Sequence, residues 1–268
     1  MIFDGLDILL LIKIKIDLKK AYESIGEIKK SGILNREGLD FKIDQYLLDA
    51  NIIDYIMNVI DSVIKKKINN LTSEEEIEKY KNYIEIQYKI REEQAGSINN
   101  NLELKKLLIE LEEYENYVEM FKHKTKGTTN IVNVKKLEIY DLITIKIKLE
   151  KIIYSVTHIK ESGILLNEGT NEQGTDLRVY HQLLDVETIK QCIKIIDDEI
   201  IKRIDNASKE ELENYKYSIE SIFKEKEKQS EQDKAYPLKM KKMEIEEKIK
   251  NEALKPYEKH IINRQRKN

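Results

Sequence analysis

The chain has 268 residues and a formal net charge of −3, from 47 lysines and arginines against 50 aspartates and glutamates. This balance lacks the basic surplus of a typical nucleic-acid-binding domain, so the composition argues against nucleic acid as a partner. Only 9 glycines, 2 prolines and 1 cysteine occur, which predicts long helices and excludes an internal disulfide.

The apolar run near the start of the chain is too short for a membrane span or a signal peptide. It extends over residues 8–12 and follows Asp4 and Asp7 rather than basic residues. A single cysteine also suits a reducing compartment. We therefore expect a cytoplasmic protein with no membrane partner. The abundance of Ile, Lys, Asn and Tyr is typical of an AT-rich coding sequence, as in a low-GC bacterium, its phages or its plasmids.

The first predicted helix covers about residues 7–30. Apolar residues step by three and four along it, at Leu11, Ile14, Leu18, Tyr22, Ile25 and Ile28. This spacing places them on one face of a helix. Ser31 and Gly32 then predict the C-terminal end, because glycine readily adopts the left-handed conformation with which many helices end.

The next stretch, residues 31–49 (SGILNREGLDFKIDQYLLD), occurs a second time at residues 162–185 in a form five residues longer. In the first copy, the alternation of polar and apolar residues from Asp40 to Ile43 follows a group of turn-forming residues, which predicts a short β-hairpin. An irregular Ω-like loop is the alternative. We expect the additional residues of the second copy, at 167–171, to protrude.

Helical patterns fill most of the remaining chain. Asp49 opens a second helix with an apolar residue at every third or fourth position, and the pattern recurs after residue 185. A third helix begins in each copy at a capping box, formed by Ser73 with Glu76 and by Ser208 with Glu211. In such a box each side chain bonds the backbone of the other residue, which fixes the start of the helix.

The chain therefore contains two copies of one sequence module. Residues 12–34 align without a gap on residues 143–165, and the alignment ends in the identical run Ser-Gly-Ile-Leu. The Leu-Leu-Asp at 47–49 also recurs at 183–185. Such internal similarity indicates a duplicated unit. We predict an all-α fold of two tandem helix–short hairpin or loop–helix–helix modules joined by a connecting helix.

The predicted boundaries follow from this pattern. The first module covers residues 1–98 and the second residues 136–232. A connecting helix at 99–124 and a loop complete the segment 99–135. Residues 233–268 form a charged C-terminal helix, interrupted at Pro256, and a basic tail.

No known catalytic or cofactor motif occurs in the sequence. Cys192 takes the place that Ile56 has in the other copy, on the apolar face of a helix, which predicts a core side chain. The four histidines are scattered, and none has the paired spacing of a helical metal site. No glycine-rich phosphate loop or nucleophile elbow is present. We therefore predict a protein that is not an enzyme and that uses no metal or cofactor.

The duplicated segment carries the residues best suited to bind a ligand. Each copy holds an acid two positions before a base, Asp40 before Lys42 and Asp176 before Arg178. Arginine can bind a phosphate through two parallel hydrogen bonds. The alternative is structural, with both acids capping turns and both bases solvated.

Aromatic and imidazole side chains follow these pairs. Tyr46 follows in the first copy, and Tyr180 and His181 follow in the second. Aromatic rings stack on nucleobases. If the two copies meet near a twofold axis, the acid–base pairs and these rings would together bind an asymmetric, nucleotide-like anion.

We therefore expect a non-catalytic binding protein that sequesters a small anionic, nucleotide-like ligand at the duplicated segments, as an accessory protein of a phage or plasmid would. The alternative is an α-helical adaptor or self-assembling scaffold, which would bind a protein partner or form a homo-oligomer through apolar helix faces. A weaker alternative is nucleic-acid contact through the basic residues of 259–267.

Overall fold

The computed structural model describes residues 2–36, 38–98, 100–125, 137–168, 176–232 and 237–267. Within these ranges the secondary structure is α-helical with short connections, and no β-strand occurs. The prediction of an all-α fold is confirmed.

The helices follow the same order of lengths in the two parts of the chain. The first part contains α1 (Ile8–Ser31), α2 (Ile33–Arg36), α3 (Leu39–Leu47), α4 (Ala50–Asn70), α5 (Glu74–Ala95) and α6 (Asn101–Thr125). The second part contains α7 (Ile139–Ser162), α8 (Ile164–Glu168), α9 (Leu177–Leu183), α10 (Glu187–Asn206), α11 (Lys209–Gln232) and α12 (Pro237–Lys267). Each part thus has one long helix, two short helices and three long helices.

The long helix that opens each part ends at a glycine in the left-handed conformation. Gly32 has a φ of 69°, and its N–H donates to the carbonyl of Lys29. Gly163 has a φ of 68° at the same place after α7. Residues other than glycine are strained at such angles, which explains why both helices end at a glycine. The predicted end of α1 is confirmed.

Replacing Gly32 with alanine is expected to lower the free energy of unfolding by about 1–2 kcal/mol, because a Cβ destabilises the left-handed conformation. No atom lies within 4 Å of the position of the added Cβ, so the effect comes from the backbone alone. Gly26 is the matched control, since it lies inside α1 with equally open space. Gly26→Ala should raise stability by about 0.5–1 kcal/mol. Urea unfolding of both variants measures the difference, and a stabilised Gly32→Ala would contradict the assignment.

The prediction of a β-hairpin in the duplicated segment is wrong. The first copy folds as α2 and α3, with Gly38 between them at a φ of 107°. The buried residues of this stretch explain the helix, since Ile43, Asp44, Leu47 and Leu48 are spaced by one turn. The alternation that suggested a strand covers too few residues to outweigh burial of that helical face. In the second copy, α8 and α9 flank residues 169–175, and most of the expected protrusion at 167–171 lies outside the described residues.

The later helices agree with the sequence patterns except at one proline. Asp49 caps α4, and Ser208 and Glu211 form both bonds of the predicted capping box. The helix expected at 99–124 is α6, whereas residues 126–135 of the predicted connecting segment lie outside the described residues. The break expected at Pro256 is wrong, because α12 continues through it. Burial of Leu254 and Tyr257 on either side holds the helix against the core despite the lost backbone hydrogen bond.

The two parts exchange a short helix, in the sense that each packs one of its short helices against the other part. Helix α3 of the first part packs against α7 and α12 of the second part. Helix α9 of the second part packs reciprocally against α1 and α6 of the first part. Within each part, the opening helix packs on its fourth helix, α1 on α4 and α7 on α10. The short helices therefore join the two parts.

A single hydrophobic core results from this exchange. Its fully buried members include residues from both parts, such as Leu18, Ile25 and Ile60 in the first and Leu149, Ile152 and Ile196 in the second. Helix α5 contributes little to the core, because most of its side chains are exposed, whereas α11 contributes Leu212, Ile219 and Ile222. The predicted boundaries at 98, 135 and 232 stay predictions.

Each part also buries a lysine among acids. In the first part, Nζ of Lys15 lies 2.8 Å from Asp61 and 2.6 Å from Glu113. The same ammonium lies 5.4 Å from the ring centre of Tyr117, whose hydroxyl donates to Asp61 at 3.0 Å. The carboxylates outweigh the effect of burial and raise the pKa of Lys15, so this lysine is charged within the core.

The second part repeats this arrangement with one change. Nζ of Lys146 lies 2.8 Å from Asp197 and 4.7 Å from the ring centre of Tyr257, whose hydroxyl donates to Asp197. In the first part the second acid, Glu113, lies on α6. Here the second acid is Glu150, which lies on α7 with Lys146 and is 3.7 Å from its ammonium. Burial raises the pKa of Glu150 to about 7, and the charge on Lys146 offsets only part of that effect.

Candidate ligand-binding groove

A groove in the first part of the chain is the most developed candidate site among the described residues. Helices α1, α5 and α6 enclose a cavity of about 510 Å³. This volume lies within the usual range for small-molecule sites, about 300–1,000 Å³. The walls come from Leu9 to Lys20 on α1, from Tyr83 to Arg91 on α5, and from Glu110 and Tyr114 on α6.

Contacts at the two ends fix the direction of these helices. At one end, the Tyr80 hydroxyl donates to Asp7 at 2.7 Å. At the other end, Glu110 accepts from both Lys20 and Arg91. Residue numbers therefore rise together along α1 and α5, so these two helices are parallel and the groove has chemically distinct ends.

The charged end is built around Glu110. One carboxylate oxygen accepts from Lys20 at 2.7 Å, and the other accepts from Nε of Arg91 at 2.8 Å. Burial favours the neutral acid, but these two cations outweigh it and hold the pKa of Glu110 below its ordinary value. Glu110 is therefore ionised at neutral pH and orients both cations.

Arg91 is held in place by one side of its guanidinium group. Nε donates to Glu110, Nη1 donates to Gln87, and the guanidinium carbon lies 4.9 Å from the ring centre of Tyr114. Nη2 makes no hydrogen bond to any residue that the structure describes. Since Arg91 is partly exposed, its remaining N–H groups are available to an acceptor in the groove.

The opposite end of the groove is apolar. Leu10 and Tyr83 are 37% and 43% exposed, and both line the cavity. The buried side chains of Ile12 and Ile16 form the floor between the two ends. Lys13 is exposed on the same wall and forms no ion pair with another described residue. The groove therefore has one apolar end. Its three cations, Lys13, Lys20 and Arg91, exceed its two carboxylates, those of Asp17 and Glu110, by one.

Two further cavities are less suited to an anion. One, of about 370 Å³, lies between α4 and α7 and is lined by Tyr55, Tyr140 and Lys148 among others. Its lysine lies 3.6 Å from Asp49. The other, of about 80 Å³, lies where α3 meets α7 and α12. It is smaller than a typical ligand site.

The ligand-binding residues predicted in the first copy lie on α3. Asp40 forms an ion pair with Lys241 of α12, and Nζ of Lys242 lies 5.1 Å from the ring centre of Tyr46. Lys42 is exposed and forms no ion pair with another described residue. Two of the three residues therefore contact α12 and contribute to the junction between the parts.

The residues predicted in the second copy lie at the start of α9. Asp176 caps this helix and also accepts two hydrogen bonds from the guanidinium of Arg178, at 2.9 and 3.0 Å. Tyr180 is half-buried, and burial raises its pKa. Burial, aided by Lys160, lowers the pKa of His181. Arg178 is thus paired within its own turn.

The structure does not bring the two predicted sets together. Helix α3 packs on α7 and α12, whereas α9 packs on α1 and α6. No described hydrogen bond or ion pair joins Lys42 to Arg178. A shared anion between these two bases stays a prediction.

One carboxyl–imidazole contact at the α3 junction was not predicted. The carboxylate of Asp44 is 1% exposed and lies 2.6 Å from Nδ1 of His158 on α7. Phe41 stacks on the same imidazole with ring centres 5.2 Å apart. Burial raises the pKa of Asp44, and the bond to His158 opposes that effect. The only signal in the sequence was the difference between the copies, since Asp44 takes the place of Tyr180.

The prediction that Cys192 is a core residue is confirmed. Its side chain is fully buried, and burial raises the pKa of the thiol to about 12. It is therefore neutral at physiological pH and is a poor nucleophile. Among the described residues, no group of His, Cys, Asp and Glu is arranged to hold a metal ion.

Comparisons with protein-family models, with curated proteins and with solved structures gave no match to this chain. None of the helices in the described ranges has both the length and the apolar character that a membrane span requires.

Proposed function

We propose that the protein is a non-catalytic binding protein that takes up a small anionic ligand in the groove between α1, α5 and α6. The available side of the Arg91 guanidinium carries this proposal, because it is oriented by Glu110 and Gln87 before any ligand arrives. A preoriented side chain loses little entropy when it binds, which favours affinity. We propose no catalytic step, and the cytoplasmic location stays a prediction.

The groove suits an anion better than the duplicated segments do. Arg178 already donates two side-chain hydrogen bonds to Asp176, so an anion there would compete with an existing ion pair. In the groove, Lys13 adds a charge that no described carboxylate offsets. An anionic ligand beside Lys13 would therefore displace water rather than a carboxylate of the protein.

Arg91→Ala is expected to weaken the binding of phenyl phosphate by about 1.5–3 kcal/mol, the usual contribution of a hydrogen bond to a charged group. Isothermal titration calorimetry at two salt concentrations measures this loss. Arg91→Lys keeps the charge but lacks the planar donor pair, so it should restore only part of the affinity. Unchanged affinity in Arg91→Ala, or no heat with the wild-type protein, would contradict the proposal.

Variants of the duplicated segments separate the two candidate sites. If the anion binds there, Lys42→Ala and Arg178→Ala should each cost about 1.5–3 kcal/mol of binding free energy. If it binds in the groove, both variants should match the wild-type protein. The same titrations therefore decide between the sites.

We also propose that the two parts of the chain arose by duplication of a six-helix unit. Lys15, Asp61 and Tyr117 have counterparts of the same type and order in Lys146, Asp197 and Tyr257. Under this proposal, α6 and α12 are the equivalent last helices of the two modules, rather than a connecting helix and a tail. Superposing residues 8–70 on 139–206 in an experimental structure should also bring Tyr117 close to Tyr257. Separation of these tyrosines would contradict the six-helix unit.

One observation favours an adaptor or scaffold as a second function. Tyr83, Ile86 and Ile90 of α5 are 43%, 54% and 39% exposed and follow the spacing of a helix face. Such a face can bind a partner helix. If it joins copies of the chain, native mass spectrometry should show an oligomer that dissociates in a variant with Ile86→Lys and Ile90→Lys. A wild-type monomer would contradict self-assembly through this face.

A further inference from the structure

We infer that the ligand of the α1–α5–α6 groove is an organic anion with one charged head and an apolar body about 12 Å long, a length set by the rise of α5. This inference rests on the proposed binding function and adds the chemical class of the ligand. The shared chemistry is an anionic head on an apolar chain, with carboxylate and phosphate monoester as its two forms.

The head belongs at Arg91. Its Nη2 faces no hydrogen-bond acceptor among the described residues, whereas Nε and Nη1 are occupied by Glu110 and Gln87. A guanidinium held in this way offers donors for one anionic group. Lys13 can add a second, longer-range attraction from α1.

A polyanion fits the same place poorly. The carboxylates of Asp17 and Glu110 line the groove beside the cations. Asp17 lies 3.3 Å from Lys20 and Glu110 lies 2.7 Å from it. These acids neutralise most of the local positive charge and repel further negative groups. The groove therefore favours a ligand with a single anionic group over a nucleoside triphosphate.

The apolar body belongs toward Tyr83 and Leu10. Tyr83 and Arg91 line the groove from the same helix and are eight residues apart, which is a rise of about 12 Å at 1.5 Å per residue. Ile12 and Ile16 form an apolar floor along this distance. Apolar surface of this kind attracts hydrocarbon by removing it from water.

The test is a chain-length series, titrated calorimetrically into the full-length protein. Acetate, hexanoate, octanoate and decanoate vary the body with a fixed carboxylate, and decyl phosphate exchanges the head. Affinity should rise about twofold with each added methylene, less than the fourfold of complete burial because the groove is open on one side. The rise should level off once the body is longer than the groove.

Variants at the two ends separate head from body. Leu10→Ser and Tyr83→Ala should weaken decanoate about tenfold while leaving hexanoate nearly unchanged. Arg91→Ala should weaken every member of the series. Tyr217→Ala is the matched control, because Tyr217 is 70% exposed on α11 and does not line the groove. Circular dichroism checks that each variant is folded.

The outcomes distinguish this inference from the proposed function. Affinity that depends on Arg91 but not on chain length, or tighter binding of ATP than of decanoate and decyl phosphate, would overturn the inference and leave anion binding in place. Affinity that is insensitive to Arg91→Ala, or the absence of heat from every probe, would overturn both. A stronger response to decyl phosphate than to decanoate, or the reverse, would support the inference and identify the head group.

Discussion

Replacing Lys15 with alanine is expected to lower the free energy of unfolding by about 3–5 kcal/mol, because it leaves buried carboxylates without their cation. Lys15 is 7% exposed and is paired with both Asp61 and Glu113. Glu113 is the more deeply buried of the two acids, with a side chain that is 3% exposed. Its ionised form would have little water to replace the lost ammonium. Urea or thermal unfolding at neutral pH measures the effect.

Lys13→Ala is the matched control for this prediction. Lys13 lies on the same helix, but it is exposed and has no ion pair among the described residues. Its loss should change stability by no more than about 0.5 kcal/mol. If Lys15→Ala costs as little as Lys13→Ala, the carboxylates around Lys15 are protonated or solvated in the folded protein, and the assigned cluster is incorrect.

The regular features of the fold were predictable because local chemistry determines them. The spacing of Leu11, Ile14 and Leu18 already identified the buried face of α1, and Ser31 with Gly32 identified its end. Both signals act within a few residues. A single sequence therefore contains all the information needed to place this helix.

The short helices were not predictable in the same way. The alternation from Asp40 to Ile43 agrees with a strand, but α3 forms because it buries Ile43 and Leu47 where it packs against α7 and α12. Burial of this face requires α7, which begins almost a hundred residues later in the sequence. Tertiary packing thus outweighed a weak local preference.

The candidate groove was missed for a related reason. Arg91, Lys20 and Glu110 lie on three different helices, and in the sequence each is one of many charged residues on a polar helix face. Only the packing of α1 and α5 against α6 places them together. The sequence pattern instead favoured the duplicated segment, where the acid and the base are only two positions apart in the chain. That adjacency lets Asp176 and Arg178 bond each other, which leaves fewer donors for a ligand.

The exchange of short helices has a consequence for stability. Since α3 contacts α7 and α12, and α9 contacts α1 and α6, neither part buries its own core completely. Unfolding of one part would expose the surface on which the other part's short helix packs. We therefore expect both parts to unfold together in one cooperative transition, as single domains with a shared core do.

The pKa of Glu150 predicts a large dependence of stability on pH. Burial raises this pKa to about 7, from an ordinary value of 4.5. Between these values the folded protein binds more protons at Glu150 than the unfolded chain does. Stability from this group is therefore complete below pH 4.5 and falls as the pH rises toward 7. The loss amounts to about 3 kcal/mol, at about 1.4 kcal/mol for each unit of pKa.

Glu150→Gln removes the titrating group and retains a polar side chain of the same shape. The variant should be about 3 kcal/mol more stable than the wild-type protein above neutral pH, and the two should converge in mild acid. Urea unfolding across this pH range measures the difference between the two proteins, in which all other titrating groups cancel. Glu161→Gln, an exposed substitution at the end of the same helix, should show no such trend. A difference for Glu150→Gln that stays constant with pH would mean that folding leaves the pKa of Glu150 unchanged, with Lys146 balancing the cost of burial.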